Sequence, residues 1–489
     1  MKKLLGAAVL VAGYLIMSLE LLGSRILAPY FGNSIYVWGV LIGLILAALA
    51  LGYYWGGLLA ERLNGGKWFL RIFLAVTLFL LADIFFYRAF LERLDFLGAV
   101  WGAAVAVGLL FLFPMAALAA VAPLALALMA RLSGVGRSAG LVYMLGTIGS
   151  LLGTFLTVFW LIPYFGSRLT LYSCFFIALL VSVCFFLAVD RRRIFFCVLI
   201  FFVSLFSLRP PILPSGVILE AESAYNQIRL VEKGGLIYFI LNSRRAALAQ
   251  SAYVKNGTIF NLSIIDLFSL GAEITSPKNI LILGMSGGAS IRQFQQYFPL
   301  AKIDAVEIDP KVAEIARANF GISENENLKI YIDDARPFLV KTAKKYDLVE
   351  VDLFQGGPHI PFYALTKEFF EAVGGALAES GVMVMNIYAP ANKEILTPAL
   401  NTIAAVFPSV FEVPLRDNVL ALATKEKTSL EEMKDLIKKN QTHEDFQTVN
   451  QRALEGISLF RPAAKAPVFT DDWAPVEAIT YHMVRGLKL

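Results

Sequence analysis

Apolar residues in the first two hundred positions neither alternate nor form one-sided stripes; they run almost unbroken, as in helices with apolar surroundings on every side. Runs near 4–24, 35–60, 68–90, 97–130, 139–163 and 169–189 each reach the roughly 20 helical residues that cross about 30 Å of hydrocarbon. The run 97–130 would be about 48 Å long as a straight helix and contains Pro114 and Pro123, so the pattern allows one long span or a broken, re-entrant pair. Ile194 to Leu208, at about 22 Å, is short for a crossing and suits the interface or an oblique helix. The first run follows Lys2 and Lys3 but has no small-residue cleavage site and precedes five more, so it reads as a retained helix and not a signal peptide. The expectation is an α-helical multi-pass membrane domain over 1–209 with about six to eight helices.

From Pro210 the texture changes. Pro210, Pro211 and Pro214 form a stiff linker, and Ala224–Val231 and Leu236–Leu241 read as strands joined by Glu232-Lys233-Gly234-Gly235, which places a small β unit within 210–277. Between Lys278 and Met385 short apolar strands alternate with helical patterns: NILILG, a helix Ile291–Tyr297, KIDAVEID, a helix Lys311–Asn319, LKIYI, a helix near Ala335–Lys344, YDLVEVD, a helix Lys367–Leu377 and GVMVMNIY. This alternation predicts a parallel sheet covered on both faces, an α/β Rossmann-like domain over 278–489. The stretch after Thr424, rich in Lys, Glu and Gln, predicts surface helices.

Composition sharpens the division. Hydrophobic residues make up 57% of the 489 and charged ones 17%, against about 45–50% and 25% in soluble domains. Residues 1–209 carry 15 basic and 6 acidic side chains, and residues 210–489 carry 28 and 32. The net charge of +5 is therefore a poor argument for a nucleic-acid partner, and none is expected, because the excess basic residues flank apolar runs and build no basic face. Cys174, Cys184 and Cys197 lie in apolar stretches, and His359, His443 and His482 are scattered, so neither a disulfide framework nor a metal site is expected.

The clusters Lys2/Lys3, Arg62/Lys67/Arg71, Arg131/Arg137 and Arg191–Arg193 fall on one side if 97–130 is a single span. A crossing at Ile194–Leu208 then puts the C-terminal half outside, whereas a nucleotide-type ligand argues for the cytoplasmic side. Glu20, Arg25 and Asp83 lie in or at the ends of apolar runs and read either as a structural pair with a locally satisfied Asp83 or as a polar path for an amine. Gly146, Gly149 and Gly153 predict close helix packing.

Candidate chemistry sits at the strand ends. Gly284-Met285-Ser286-Gly287-Gly288 joins a strand to a helix, so that Gly284, Ser286 and Gly288 let backbone approach a ligand at a helix N-terminus. Glu307 ends the next strand 23 residues after Gly284, where a carboxylate takes both hydroxyls of a ribose. Asp333 and Asp334 end the third strand and read as adenine acceptors or as helix caps. Asp352 ends the fourth, in VEVDLFQGGPHIPF, beside a Gly/Pro-rich loop, where a carboxylate can hold an amine and take its proton. His359 in that loop reads as an assistant in proton transfer or as a solvent-exposed histidine.

At SAYNQI, ILGMSGGASIR, AVEIDP, DDARPFL, YDLVEVDLF, IPFYALTKEFF and TDDWAPVE the chain resembles the spermidine synthase (polyamine aminopropyltransferase) family. The likeness is to its membrane-fused members, whose N-terminal region LELLGSRILAPYFGNS and GLVYMLGTIGSLLGTF also resemble. The resemblance implies decarboxylated S-adenosylmethionine as co-substrate, a small-molecule amine acceptor such as putrescine, and no metal. It implies ribose binding by Glu307, adenine binding by Asp334, and Asp352 as the catalytic acid group. It adds Tyr225 and Gln250 to the amine site and leaves a homodimer open as the assembly. The family's acids are replaced by Gly287 in the glycine turn and by Gln355 three residues after Asp352. Each lost contact is worth about ten- to a hundredfold in affinity, so a site with fewer acids suits intact S-adenosylmethionine or a less cationic acceptor.

Three readings follow: a multi-pass aminopropyltransferase of the cell membrane with its catalytic domain facing the cytoplasm, an S-adenosylmethionine-dependent transferase acting on a substrate delivered by the lipid bilayer, and an amine transporter with a ligand-sensing domain.

Overall fold

The computed structural model describes residues 2–32, 34–61, 67–189, 194–207, 213–243, 249–254, 263–356, 359–390, 394–439 and 443–486. Arg62, Arg191–Arg193, Pro210 and Pro211, which entered the orientation and linker arguments, lie outside them. The chain divides into two compact units, Met1–Leu213 with Glu222–Ala224, and Pro214–Ala221 with Tyr225–Leu489.

Among its described residues the first unit contains five helical stretches long and apolar enough to cross a membrane: Lys2–Phe31, Ile35–Glu61, Lys67–Glu92, Gly98–Ser133 and Val135–Val189. Gly98–Ser133 runs on through both prolines with local adjustments: a wider turn at Gly108–Leu112 precedes Pro114, and a turn at Ala120 separates Phe113–Ala119 from Val121–Ser133 just ahead of Pro123. The predicted runs 139–163 and 169–189 join in one stretch, bent at Gly166 where φ is 74°. Phe195–Ser207 is a 13-residue helix.

Lys2–Phe31 and Val135–Leu156 meet backbone to backbone. A Cβ on Gly149 would overlap the Leu10 carbonyl, one on Gly153 the Tyr14 carbonyl, and one on Gly13 the Gly146 carbonyl. The Thr157 hydroxyl donates to Ser18 Oγ at 2.9 Å, both buried, at the end of the same contact. Replacing Gly149 by leucine must push the helices apart, at a cost of at least about 1–3 kcal/mol. Thermal unfolding in detergent should show a lower midpoint for Gly149→Leu, and an unchanged midpoint would contradict this packing.

The second unit holds two sheets. The small one is antiparallel in the order β1 (Val217–Glu222), β2 (Gln227–Lys233), β3 (Leu236–Leu241), β4 (Ser251–Val254). The hairpin turn is tighter than the sequence suggested: Lys233 pairs with Leu236, leaving a two-residue turn with Gly234 and Gly235 both at positive φ, the geometry that matches strand twist. β1 and β4 escaped the sequence reading because β1, VILEAE, carries little alternation and β4 has only four residues.

The large sheet comprises β5 (Asn279–Leu283), β6 (Lys302–Glu307), β7 (Leu328–Ile332), β8 (Tyr346–Val351), β9 (Leu377–Tyr388), β10 (Ser409–Leu415), β11 (Asn418–Thr424) and β12 (Ser458–Leu459). Its order is β12-β10-β11-β9-β8-β5-β6-β7, with β5 to β9 parallel and the β9-β11, β11-β10 and β10-β12 pairs antiparallel. Near-continuous apolar strands such as NILIL suit a sheet covered on both faces. Residues of helices Ile264–Thr275, Ala289–Tyr297 and Pro310–Phe320 pack in one core, and those of Ala335–Lys341, Lys367–Ala376 and Leu396–Ala404 in the other. Leu430–Lys439 and Gln447–Gly456, expected as surface helices, each bury one edge through Met433, Ile437, Val449 and Ala453. The strand order reverses at β5, flanked by β6 on one side and β8 on the other, which opens a crevice at the carboxyl ends of β5 and β8.

Candidate active site

The parallel register brings the key residues into one row. Leu283 pairs with Val306 on one side and with Val351 on the other, and Val351 pairs with Met385. The ladder continues one residue further, since the Gly284 amide donates to the Val306 carbonyl and the Asp352 amide to the Leu283 carbonyl. Glu307, Gly284, Asp352 and Asn386 therefore stand side by side across four strands, on one face of the sheet. Gly284 leaves the gap between the two carboxyl groups: its φ is +88°, and a Cβ there would stand 2.5 Å from the Asp352 carbonyl oxygen.

Glu307 is 7% exposed and holds the glycine turn. Its Oε2 accepts from the Ser286 amide at 3.2 Å and its Oε1 from the Asp309 amide at 3.0 Å. Burial pushes its carboxyl up to about 7 against the pull of these amides. Ser286 itself has φ of 44°, an unfavourable conformation for a non-glycine residue, and its hydroxyl is buried without a partner among the described residues. Gly288, at φ 75°, precedes the helix Ala289–Tyr297.

Asp352 is half-buried, and burial raises its carboxyl to about 6, opposed by a hydrogen bond that Asn386 Nδ2 donates to Oδ1 at 2.9 Å. Asn386 is oriented in turn by Asn418, whose Nδ2 donates to Asn386 Oδ1 at 2.7 Å. The relay Asn418, Asn386, Asp352 fixes one oxygen of the carboxylate. No local pattern announces it, because it depends on β11 lying antiparallel beside β9.

Asp334 is a helix cap: its Oδ1 accepts from the Arg336 amide at 2.9 Å, while Tyr363 directs its hydroxyl to Oδ2 at 3.5 Å. Asp333 Oδ1 accepts from the Asp334 amide, and its Oδ2 lies 3.2 Å from Lys341 Nζ. Arg336 makes a two-pronged ion pair with Asp471 of the TDDW segment, which holds Asp471 below and Arg336 above their usual ranges.

Asn242 ties the small sheet to the site. It donates from Nδ2 to the Gln355 carbonyl at 3.0 Å and to Asn226 Oδ1 at 2.7 Å, and Asn226 donates to Asp309 Oδ2 at 2.8 Å. Neither asparagine was singled out beforehand; the signal was the Asn in SAYNQI and in ILNS. Tyr225 precedes β2 and is 48% exposed. Gln250 Oε1 accepts from the Leu241 amide at 2.7 Å, so this side chain closes the end of β3. Gln355 is exposed, with its amide bonded to the His359 carbonyl at 2.8 Å. His359 is half-buried, unlike the solvent-exposed reading, and burial lowers its pKa. Among the described residues no three His, Cys, Asp or Glu side chains gather as metal ligands.

Residues 266–429, which contain this whole row, match the family model for the spermine/spermidine synthase domain. The C-terminal part of the chain carries a spermidine synthase domain. A protein of Bifidobacterium longum named a probable polyamine aminopropyl transferase is 29% identical over 327 residues, covering 59% of this chain and 72% of that one. A polyamine aminopropyltransferase of Saccharolobus islandicus is 35% identical over 138 residues, 27% of this chain and 46% of its own length. One of Vibrio vulnificus is 34% identical over 115 residues, 23% and 38%. Of the latter two relatives the chain thus spans less than half. The crystal structure of a probable spermidine synthase from Corynebacterium glutamicum superposes with a TM-score of 0.43 at 20% identity, covering 54% of this chain and 97% of that one.

Within the synthase domain, the glycine at 287 has a packing reason. A Cβ there would stand 3.0 Å from Ser251 Cβ and Oγ and 3.1 Å from Phe320 Cε1, so a larger residue requires Ser251 to move.

Proposed function

We propose that the chain is a membrane-bound aminopropyltransferase of the spermidine synthase type, which moves an aminopropyl group from decarboxylated S-adenosylmethionine to an amine and releases methylthioadenosine. The observation that carries the reading is the row Glu307, Gly284, Asp352, with a bare glycine between two carboxyl groups inside a synthase domain. The residues fit an adenosyl co-substrate: Glu307, fixed by two backbone amides, would accept from the ribose hydroxyls, and Asp334 with Tyr363 would border the base. The sulfonium of such a donor supplies the leaving group. Asp352, oriented by Asn386, would hold the acceptor nitrogen and take its proton as the new C–N bond forms and the C–S bond breaks. Positioning supplies most of the remaining acceleration. The five apolar helical stretches would keep the enzyme at a bilayer with the catalytic unit on the cytoplasmic side, where nucleoside donors are made.

The glycine at 287 and the exposed Gln355, with no acid at either position, favour a second reading: methyl or other transfer from intact S-adenosylmethionine to a substrate delivered by the membrane. Incubating the full chain with labelled decarboxylated or intact donor and candidate amines, then identifying the nucleoside released, separates the two. Methylthioadenosine that depends on Asp352 supports aminopropyl transfer, S-adenosylhomocysteine supports methyl transfer, and no nucleoside product contradicts both.

A further inference from the structure

Glu350 stands one row below the site. It is the residue preceding Asp352 on the same face of β8, paired with Ile282 on β5 and Val384 on β9. Those neighbours are apolar and fully buried, and Glu350 is 1% exposed. Among the described residues it has no cationic partner, and its Oε2 has no hydrogen-bond partner at all. The polar group that reaches it is the hydroxyl of Ser290, in the first turn of the helix that follows the glycine turn. The charged residues of helices Ile264–Thr275, Ala289–Tyr297 and Pro310–Phe320, which pack in this core, are engaged elsewhere: in the last, Lys311 pairs with Glu314 and Arg317 with Glu324, each at 2.7 Å. Asp266 accepts from Gln293 Nε2 at 2.7 Å, Glu273 from Asn450 Nδ2 at 2.6 Å, and Arg292 lies 4.3 Å over the Tyr253 ring. Among the described residues, the charge that faces Glu350 is the Asp352 carboxylate, of the same sign.

A carboxylate without a cation in an apolar row is very costly, whereas a carboxylic acid bonded to a hydroxyl is tolerated. Two carboxyl groups in adjacent rows of one strand face also resist a second ionisation. We propose that Glu350 and Asp352 act as a carboxyl pair holding one proton at neutral pH, kept by Glu350, so that the pair presents a single negative charge to the acceptor end of the site. Burial and the Asp352 charge both raise Glu350 well above the usual carboxylate range, in keeping with this division. Glu350 is then a positioning residue: it sets the charge of the pair without touching the reacting atoms. A ligand bringing a second positive charge would draw the proton out of Glu350 and release it to solvent. The inference rests on the reading of Asp352 as the group that meets the amine, but its test needs no substrate.

Infrared difference spectroscopy of the full chain in detergent, wild type against Glu350→Gln, reads the proton directly. At pH 7 the difference spectrum should contain the carbonyl band of a protonated carboxyl, and that band should vanish as the pH rises well above neutrality. Ionised-carboxylate bands in its place at pH 7 would overturn the proposal. Should Glu350→Gln not fold, Asp352→Asn provides the second test. With the neighbouring charge removed, a protonated-carboxyl band should titrate at a lower pH than in wild type; titration at the same pH would show the two groups uncoupled and overturn the pairing. In turnover, Glu350→Gln should lose any alkaline step in the pH profile while keeping the acid limb near 6, a split that a purely structural glutamate would not produce.

Discussion

Asp352→Asn is expected to lower turnover by about two to four orders of magnitude, the range set by loss of a positioned proton acceptor. The substitution keeps the shape of the side chain and can keep the hydrogen bond from Asn386 at 2.9 Å, so the loss would lie in kcat with little change in nucleoside affinity. The pH profile gives the sign. Asp352 must be ionised to accept the proton, and burial has raised it to about 6, so wild-type turnover should fall as the pH drops through about 6 and level off above it. The variant should lack that limb. A variant with turnover within a few-fold of wild type and the same acid limb would remove Asp352 from the chemistry.

The second large effect is expected at Gly284. Alanine there must adopt a φ of +88° and would bring its Cβ 2.5 Å from the Asp352 carbonyl oxygen and 3.2 Å from Leu353 Cδ2. The left-handed backbone costs a non-glycine residue about 1–2 kcal/mol, and the overlap is relieved only if the Asp352 strand end moves. A shift of about 1 Å in a group that must meet the reacting nitrogen costs about a hundredfold in rate. Gly284→Ala should therefore lower both the unfolding midpoint and kcat, read by thermal unfolding and steady-state kinetics on the same preparation. Wild-type kinetics in this variant would show that the gap between Glu307 and Asp352 has no part in the reaction.

Much of this was legible before the structure because it is local. The glycine turn, the near-continuous apolar strands and the acids closing them lie within a few residues of one another, and the parallel pattern assigns the carboxyl ends to one edge. Glu307 and Asp352 are found that way. Glu350 was passed over because VEVD reads as a strand with an ordinary polar alternation; only the two-sided helical cover shows that its side chain is buried. Asn386 and Asn418 are 32 residues apart and meet only through the antiparallel pairing of β9 with β11, a choice the sequence pattern leaves undetermined. The contact from Asn242 to the Gln355 carbonyl spans 113 residues, which local pattern does not reach. Gln250, assigned to the amine site by resemblance alone, accepts from the Leu241 amide of its own sheet, a contact that local pattern does not announce.

Glu307 offers the most direct test of the central claim that a sulfonium nucleoside is held at this strand edge. Titration calorimetry of the full, detergent-solubilised chain with decarboxylated S-adenosylmethionine should give binding heat in wild type, with affinity about ten- to a hundredfold weaker in Glu307→Ala, where the carboxylate that meets the hydroxyls and ties Ser286 to Asp309 is gone. No heat with wild type from either the decarboxylated or the intact donor, or equal affinity in wild type and Glu307→Ala, would contradict the account.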